Sequence, residues 1–240
     1  MDSAASEVYN TGRKGREDRA MEGFTYQWDE RGARLETYEW DNVWWEHTED
    51  RRAPRALIVG DSISCGYRGK VNELLAGEVR ADGFGTSKAA DNPAFPAALE
   101  LFLAQQGHTE YLLINNGLHG WHLSEEEYAV HYARLADFLR GKRPEAKMLM
   151  LLTTPVRDRA CLERFDARNE RVIGRNKRAR EIAGARGIEV IDLYGLLENR
   201  PELYSADGVH LTAEGYALLA GRIARAIRGE TLAQGAIEVV

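Results

Sequence analysis

The chain has 240 residues, 44% of them hydrophobic, enough for one full α/β core with an appendage. Its 32 Lys and Arg stand against 38 Asp and Glu, a formal net charge of -6, and no basic cluster could neutralise a phosphate backbone, which argues against nucleic acid as a partner. Met1–Glu7 lacks the basic and apolar regions of a secretion signal and no apolar run approaches the roughly 20 residues of a membrane span, so a soluble cytoplasmic protein with no membrane partner is expected.

Residues 1 to about 20 are polar without apolar periodicity, and core burial cannot repay the entropy of ordering them. From Phe24 to Trp40 aromatic and polar residues alternate around Asp29-Glu30-Arg31-Gly32, which predicts a β-hairpin. The segment Tyr38–His47 then concentrates Trp40, Trp44 and Trp45, which either pack across the main body or form a substrate platform. Residues 1–52 are accordingly expected to be an N-terminal extension with an aromatic-rich arm, and 53–240 the main domain.

After Pro54 the pattern becomes strand, helix, strand, helix. Ala56–Val59 is an apolar strand, Val71–Leu75 helical, and Glu78–Ala81 a weaker strand. A helix follows near Pro93–Gln106, then a strand at Tyr111–Asn115 and a helix opened by the capping box Ser124-Glu125-Glu126-Glu127. Lys147–Thr153 is the fourth strand, Leu162–Arg186 a long solvated helix, Ile188–Leu193 the fifth strand, and Ala213–Ile227 an amphipathic closing helix. Together these predict a three-layer α/β/α sandwich on a five-stranded parallel sheet, in which ligands bind beyond the carboxyl ends of the strands.

The candidate chemistry lies at such ends. Gly60-Asp61-Ser62 runs off the first strand into a helix, placing a hydroxyl and backbone N–H groups at a helix start. A serine hydroxyl is a weak nucleophile at neutral pH and needs a base held in its tautomer by a third group. Asp207-Gly208-Val209-His210, just before the last helix, offers an acid and an imidazole on one loop. Singly, these residues also read as caps and turn residues.

Gly-Asp-Ser after the first strand and Asp-x-x-His before the final helix resemble, in the same order, the GDSL or SGNH hydrolase superfamily over roughly residues 55–228. The resemblance implies a flavodoxin-like fold and ester cleavage. Ser62 would be the nucleophile, His210 the general base and Asp207 the residue that orients and supports the imidazolium. It also implies an oxyanion hole built from the Ser62 amide, a second-block glycine and a third-block asparagine. Gly85 is the favoured glycine, with Gly83 as alternative. The third block departs from Gly-x-Asn-Asp: in Asn115-Asn116-Gly117-Leu118-His119-Gly120, His119 holds the asparagine position, and either its ring N–H or Asn116 would have to donate.

His119 and His122 lack carboxylate or cysteine partners at recognised ligand spacing and no His-Glu-x-x-His occurs, so neither a metal nor another cofactor is expected. Cys65 and Cys161, the only cysteines, give no disulfide framework. Trp44, Trp45, Trp121, His122 and Arg157 are candidate substrate contacts, with surface or structural roles as the competing reading for Arg157. The expected function is hydrolysis of short-acyl carboxylic esters, with acetyl groups on saccharides as one candidate. A thioesterase or lysophospholipase of the same fold, or a catalytically silent carbohydrate-binding protein, are the alternatives.

Overall fold

The computed structural model describes residues 34–230. Its central strand, β2 (Arg55–Gly60), is buried throughout. Alternate side chains feed two separate cores, as a two-sided strand requires: Ala56 and Ile58 join one, Leu57 and Val59 the other. Around it lie β3 (Arg80–Thr86), β4 (Tyr111–Ile114), β5 (Lys147–Leu151) and β8 (Glu189–Ile191), all running parallel to it. The helices α1 (Ser62–Leu75) and α6 (Ala213–Arg228), with the short α5 (Tyr194–Leu197), cover one face, through Ile63, Val71, Leu197, Leu219 and Ile223. On the other lie α2 (Ala94–Gln105), α3 (Glu125–Lys142) and α4 (Asn169–Arg186), through Leu99, Tyr132, Leu139 and Ile182. The predicted capping box opens α3, with Ser124 and Glu127 each accepting the other's backbone N–H. Among the described residues no helix is long and apolar enough to cross a membrane.

The sheet has six strands where the sequence predicts five, and with β1 (Asp41–Trp44) at one edge their order is β1-β3-β2-β4-β5-β8. The extra one, β1, lies in the expected N-terminal extension and pairs antiparallel with β3, Asp41 opposite Thr86 and Trp44 opposite Gly83. Four exposed residues bury no apolar face, so no core pattern announces it. The predicted hairpin before it falls largely on residues 24–33, outside the described ones, and residues 34–40 carry no strand. A buried ion pair fastens the end of the arm to the sheet. Asp82 accepts from Arg55 Nε at 2.8 Å and Nη2 at 2.6 Å, and also from the Glu46 N–H at 2.9 Å.

Two further readings change. Gly83 and Gly85 lie inside β3, not in a loop after a strand ending at Ala81. Their missing side chains make room for α1: a β-carbon at Gly83 would stand 2.3 Å from Arg68 Nη1, and one at Gly85 2.4 Å from Cys65 Sγ. The long helix predicted from Leu162 begins only at Asn169. Before it, β6 (Arg157–Asp158) and β7 (Cys161–Phe165) form a small antiparallel ribbon. Charge density concealed that ribbon, since exposed β7 buries no alternating apolar face.

Candidate active site

Ser62 is the first residue of α1, and the turn that delivers it is tight. A β-carbon at Gly60 would stand 2.7 Å from Ser64 Cβ, and Asp61 caps the helix by accepting the Ile63 N–H at 2.9 Å. A first-turn amide has no intrahelical acceptor, so the Ser62 N–H remains available at the positive end of the helix. Asp61 itself is buried, with one carboxylate oxygen unpartnered. Burial pushes its carboxyl above the ordinary value, opposed by the His119 imidazole, the Ile63 and Ser64 amides and the His210 imidazole.

The loop before α6 reaches Ser62 from 148 residues away in sequence: His210 Nε2 stands 2.9 Å from Ser62 Oγ, and Asp207 Oδ2 2.6 Å from His210 Nδ1. The other Asp207 oxygen accepts from the Ser205 hydroxyl at 2.9 Å, the Val209 amide at 2.8 Å and the His210 amide at 2.9 Å. Burial acts upward on this carboxyl. The hydrogen bonds from the His210 ring, the two amides and Ser205 outweigh it and hold Asp207 well below the usual carboxylate range. A carboxylate at Nδ1 fixes the tautomer, so Nδ1–H donates to Asp207 and the Nε2 lone pair faces the Ser62 hydroxyl. The loop is held by its backbone as well. Gly208 adopts φ +74° and its carbonyl accepts the Arg157 N–H at 2.7 Å.

The expected oxyanion donors are placed less uniformly. Ser87 N–H donates to Trp40 and Arg80 N–H to Pro54, so odd-numbered amides of β3 face β1 and even-numbered ones face β2. Gly85, opposite Asn42, therefore turns its N–H toward β1, a partner the sequence did not reveal. The same register directs the Gly83 N–H toward β1. Asn116 is fully buried and gives its amide to the Lys88 carbonyl at 2.9 Å. His119 lies close enough to Asp61 to act on its carboxyl, and its Nδ1 stands at ion-pair distance, 3.7 Å, from Glu36 Oε1.

Of the expected substrate contacts, Arg157 is corrected. It is buried, stacked between Phe165 and Tyr204, and donates to the carbonyls of Leu162, Leu197 and Glu198. Trp45 is a packing residue, its ring stacked 4.0 Å from that of Phe102. Trp44 is half exposed and bonded to Glu46. Trp121 lies against the Arg175 guanidinium, 4.7 Å from its ring centroid, and His122 pairs with Asp91 at 2.8 Å. Because β1 runs antiparallel, the tryptophan at the catalytic edge is Trp40, whose Cζ3 lies 3.6 Å from a β-carbon built on Gly85. Sequence reasoning also missed Glu36 and Arg175. Arg175 and Arg171, four apart on α4, take carbonyls of the segment 117–123, but in the sequence they look like any charged pair on a solvated helix.

The model of the GDSL-like lipase/acylhydrolase family matches residues 58–218, which include both the Ser62 turn and the Asp207–His210 loop. No curated protein matches the chain. Among solved structures, an acetyl xylan esterase, AlAXEase, superposes with TM-score 0.58 at 17% identity, covering 72% of this chain and 99% of that one. An assigned arylesterase from Agrobacterium tumefaciens gives TM-score 0.58 at 20% identity, over 74% of this chain and 100% of the other. A GDSL-like lipase from Bacteroides thetaiotaomicron gives 0.57 at 19% identity, over 74% and 89%. At such identities the likeness speaks for the fold, while the family match carries the hydrolase assignment.

Proposed function

Because this chain belongs to the GDSL-like lipase/acylhydrolase family, and is therefore an ester hydrolase, we propose that it cleaves short-acyl carboxylic esters through Ser62, His210 and Asp207. The observation that carries the proposal is the continuous relay of 2.9 Å and 2.6 Å from Ser62 through His210 to Asp207. In this mechanism Ser62 Oγ attacks the ester carbonyl as its proton passes to His210 Nε2, and the Asp207 carboxylate supports the imidazolium. The tetrahedral oxyanion is met by the Ser62 amide and by the His119 ring standing where the family carries asparagine. His210 returns the proton to the departing alkoxide. Water, activated by the same imidazole, then attacks the acyl-Ser62 ester and releases the acid.

The acetyl xylan esterase among the similar structures makes acetylated saccharides the first natural class to try, with Trp40 at the catalytic edge as a ring-stacking surface. The test is hydrolysis of p-nitrophenyl acetate, butyrate and octanoate, and of acetylated xylo-oligosaccharides, by wild type and Ser62→Ala. Turnover that falls with acyl length and vanishes in Ser62→Ala is expected. Preference for octanoate would shift the reading to a lysophospholipase or thioesterase, and no Ser62-dependent turnover to a silent carbohydrate-binding protein.

A further inference from the structure

The peptide that joins His119 to Gly120 is gripped at both ends. Its carbonyl accepts from Arg175 Nη1 at 2.6 Å, and its N–H donates to Glu36 Oε1 at 2.7 Å. A planar trans peptide points these two groups in opposite directions, so bonds to both remove the rotation of the plane. The same guanidinium takes the Gly117 carbonyl at 3.0 Å and the Gly120 carbonyl at 2.6 Å. Arg175 is itself fully buried, its guanidinium against the rings of Trp121 and Tyr128 at 4.7 and 4.8 Å. Glu36, in the arm before β1, closes the brace from the other side and stands 3.7 Å from the His119 ring. The His119 imidazole holds the Glu36 carboxyl below its ordinary value, aided by the Gly120 amide and against the effect of burial.

We propose that Glu36 is a positioning residue for ester hydrolysis: with Arg175 it locks the 119–120 peptide and holds the His119 ring in place before an ester arrives. This rests on the reading that Ser62 is the nucleophile and that His119 meets the oxyanion. A donor fixed in advance pays no reorganisation during reaction, and catalytic groups gain precision from a supporting shell of hydrogen bonds. The N-terminal arm thereby becomes part of the active site, although it lies before the region matched by the family model.

The test compares kcat and KM for p-nitrophenyl acetate in wild type, Glu36→Ala, Glu36→Gln, His119→Ala, the Glu36→Ala/His119→Ala double variant and Ser62→Ala. Glu36→Ala should lower kcat about tenfold with KM within about twofold, since a charge-assisted hydrogen bond is lost. Glu36→Gln keeps an acceptor for the Gly120 amide and should fall between. In the His119→Ala background, removing Glu36 should cost less than about twofold, because the group it positions is gone. A Glu36→Ala enzyme with wild-type kcat, or a tenfold penalty that persists without His119, overturns the proposal. Ser62→Ala separates the two levels: turnover that survives it removes the reading of Ser62 as nucleophile, whereas Ser62-dependent turnover indifferent to Glu36 removes only this inference.

Discussion

Gly208 lies between Asp207 and His210 at φ +74°, and a β-carbon built there would stand 2.2 Å from the Arg157 carbonyl oxygen. Carbon–oxygen contacts ordinarily settle at about 3.3 Å, so Gly208→Ala must drive the loop and the Arg157 backbone apart by about 1 Å. Retreat also strains the 2.7 Å bond from the Arg157 N–H to the Gly208 carbonyl. The left-handed backbone adds about 1–2 kcal/mol of strain for a residue with a β-carbon, equivalent to a fall in Tm of about 2–8 °C in a domain of this size. The effect on rate is larger, because a misplacement of about 1 Å in catalytic geometry costs about a hundredfold. Thermal unfolding and kcat/KM on p-nitrophenyl acetate should be measured on one preparation. The expected result is a cooperatively folded protein with kcat/KM reduced about a hundredfold. Wild-type kcat/KM in Gly208→Ala would refute the argument that β6 sets the position of the Asp207–His210 loop.

Other perturbations address the relay and the core. Asp207→Asn removes the carboxylate that selects the His210 tautomer, and kcat should fall by about 10⁴ with Ser62 still in place, measured by steady-state ester hydrolysis. Burial raises the Asp61 carboxyl above its unfolded value, so ionising it opposes folding. That penalty is absent below the unfolded pKa and grows as pH rises through the folded one. Asp61→Asn should therefore gain Tm relative to wild type between about pH 4 and about pH 8, and an equal difference at both pH values would contradict this. Asp82→Ala leaves the buried Arg55 guanidinium unpaired and should cost about 3–5 kcal/mol in urea unfolding, whereas a loss below about 1 kcal/mol would show that solvent reaches the pair.

The Ser62 turn and the Asp207–His210 loop were legible because their chemistry requires particular residue types at fixed places in the chain order. The parallel strands were legible because burial on both faces forces apolar runs. What stayed hidden is built from residues whose local pattern carries no burial signal. Exposed β1 has no apolar face, and the two glycines of β3 read as a loop until Arg68 and Cys65 of α1 are seen filling their place. Arg157 reads as a substrate contact or a surface or structural charge and Arg175 as part of a solvated helix, yet both are buried by giving their guanidinium protons to backbone carbonyls, an arrangement fixed by tertiary contact alone. The same blindness concealed Glu36, whose partners lie 84 residues away at Gly120 and on the neighbouring His119 ring.

The central claim is that Ser62 is an activated nucleophile. A fluorophosphonate probe reports this directly, because it is attacked by an activated serine and stays attached through a stable bond to Oγ. Intact mass and peptide mapping of the treated protein should find one adduct, on the peptide carrying Ser62, and none in Ser62→Ala. An unmodified wild-type protein, or an adduct that persists in Ser62→Ala, would contradict the account.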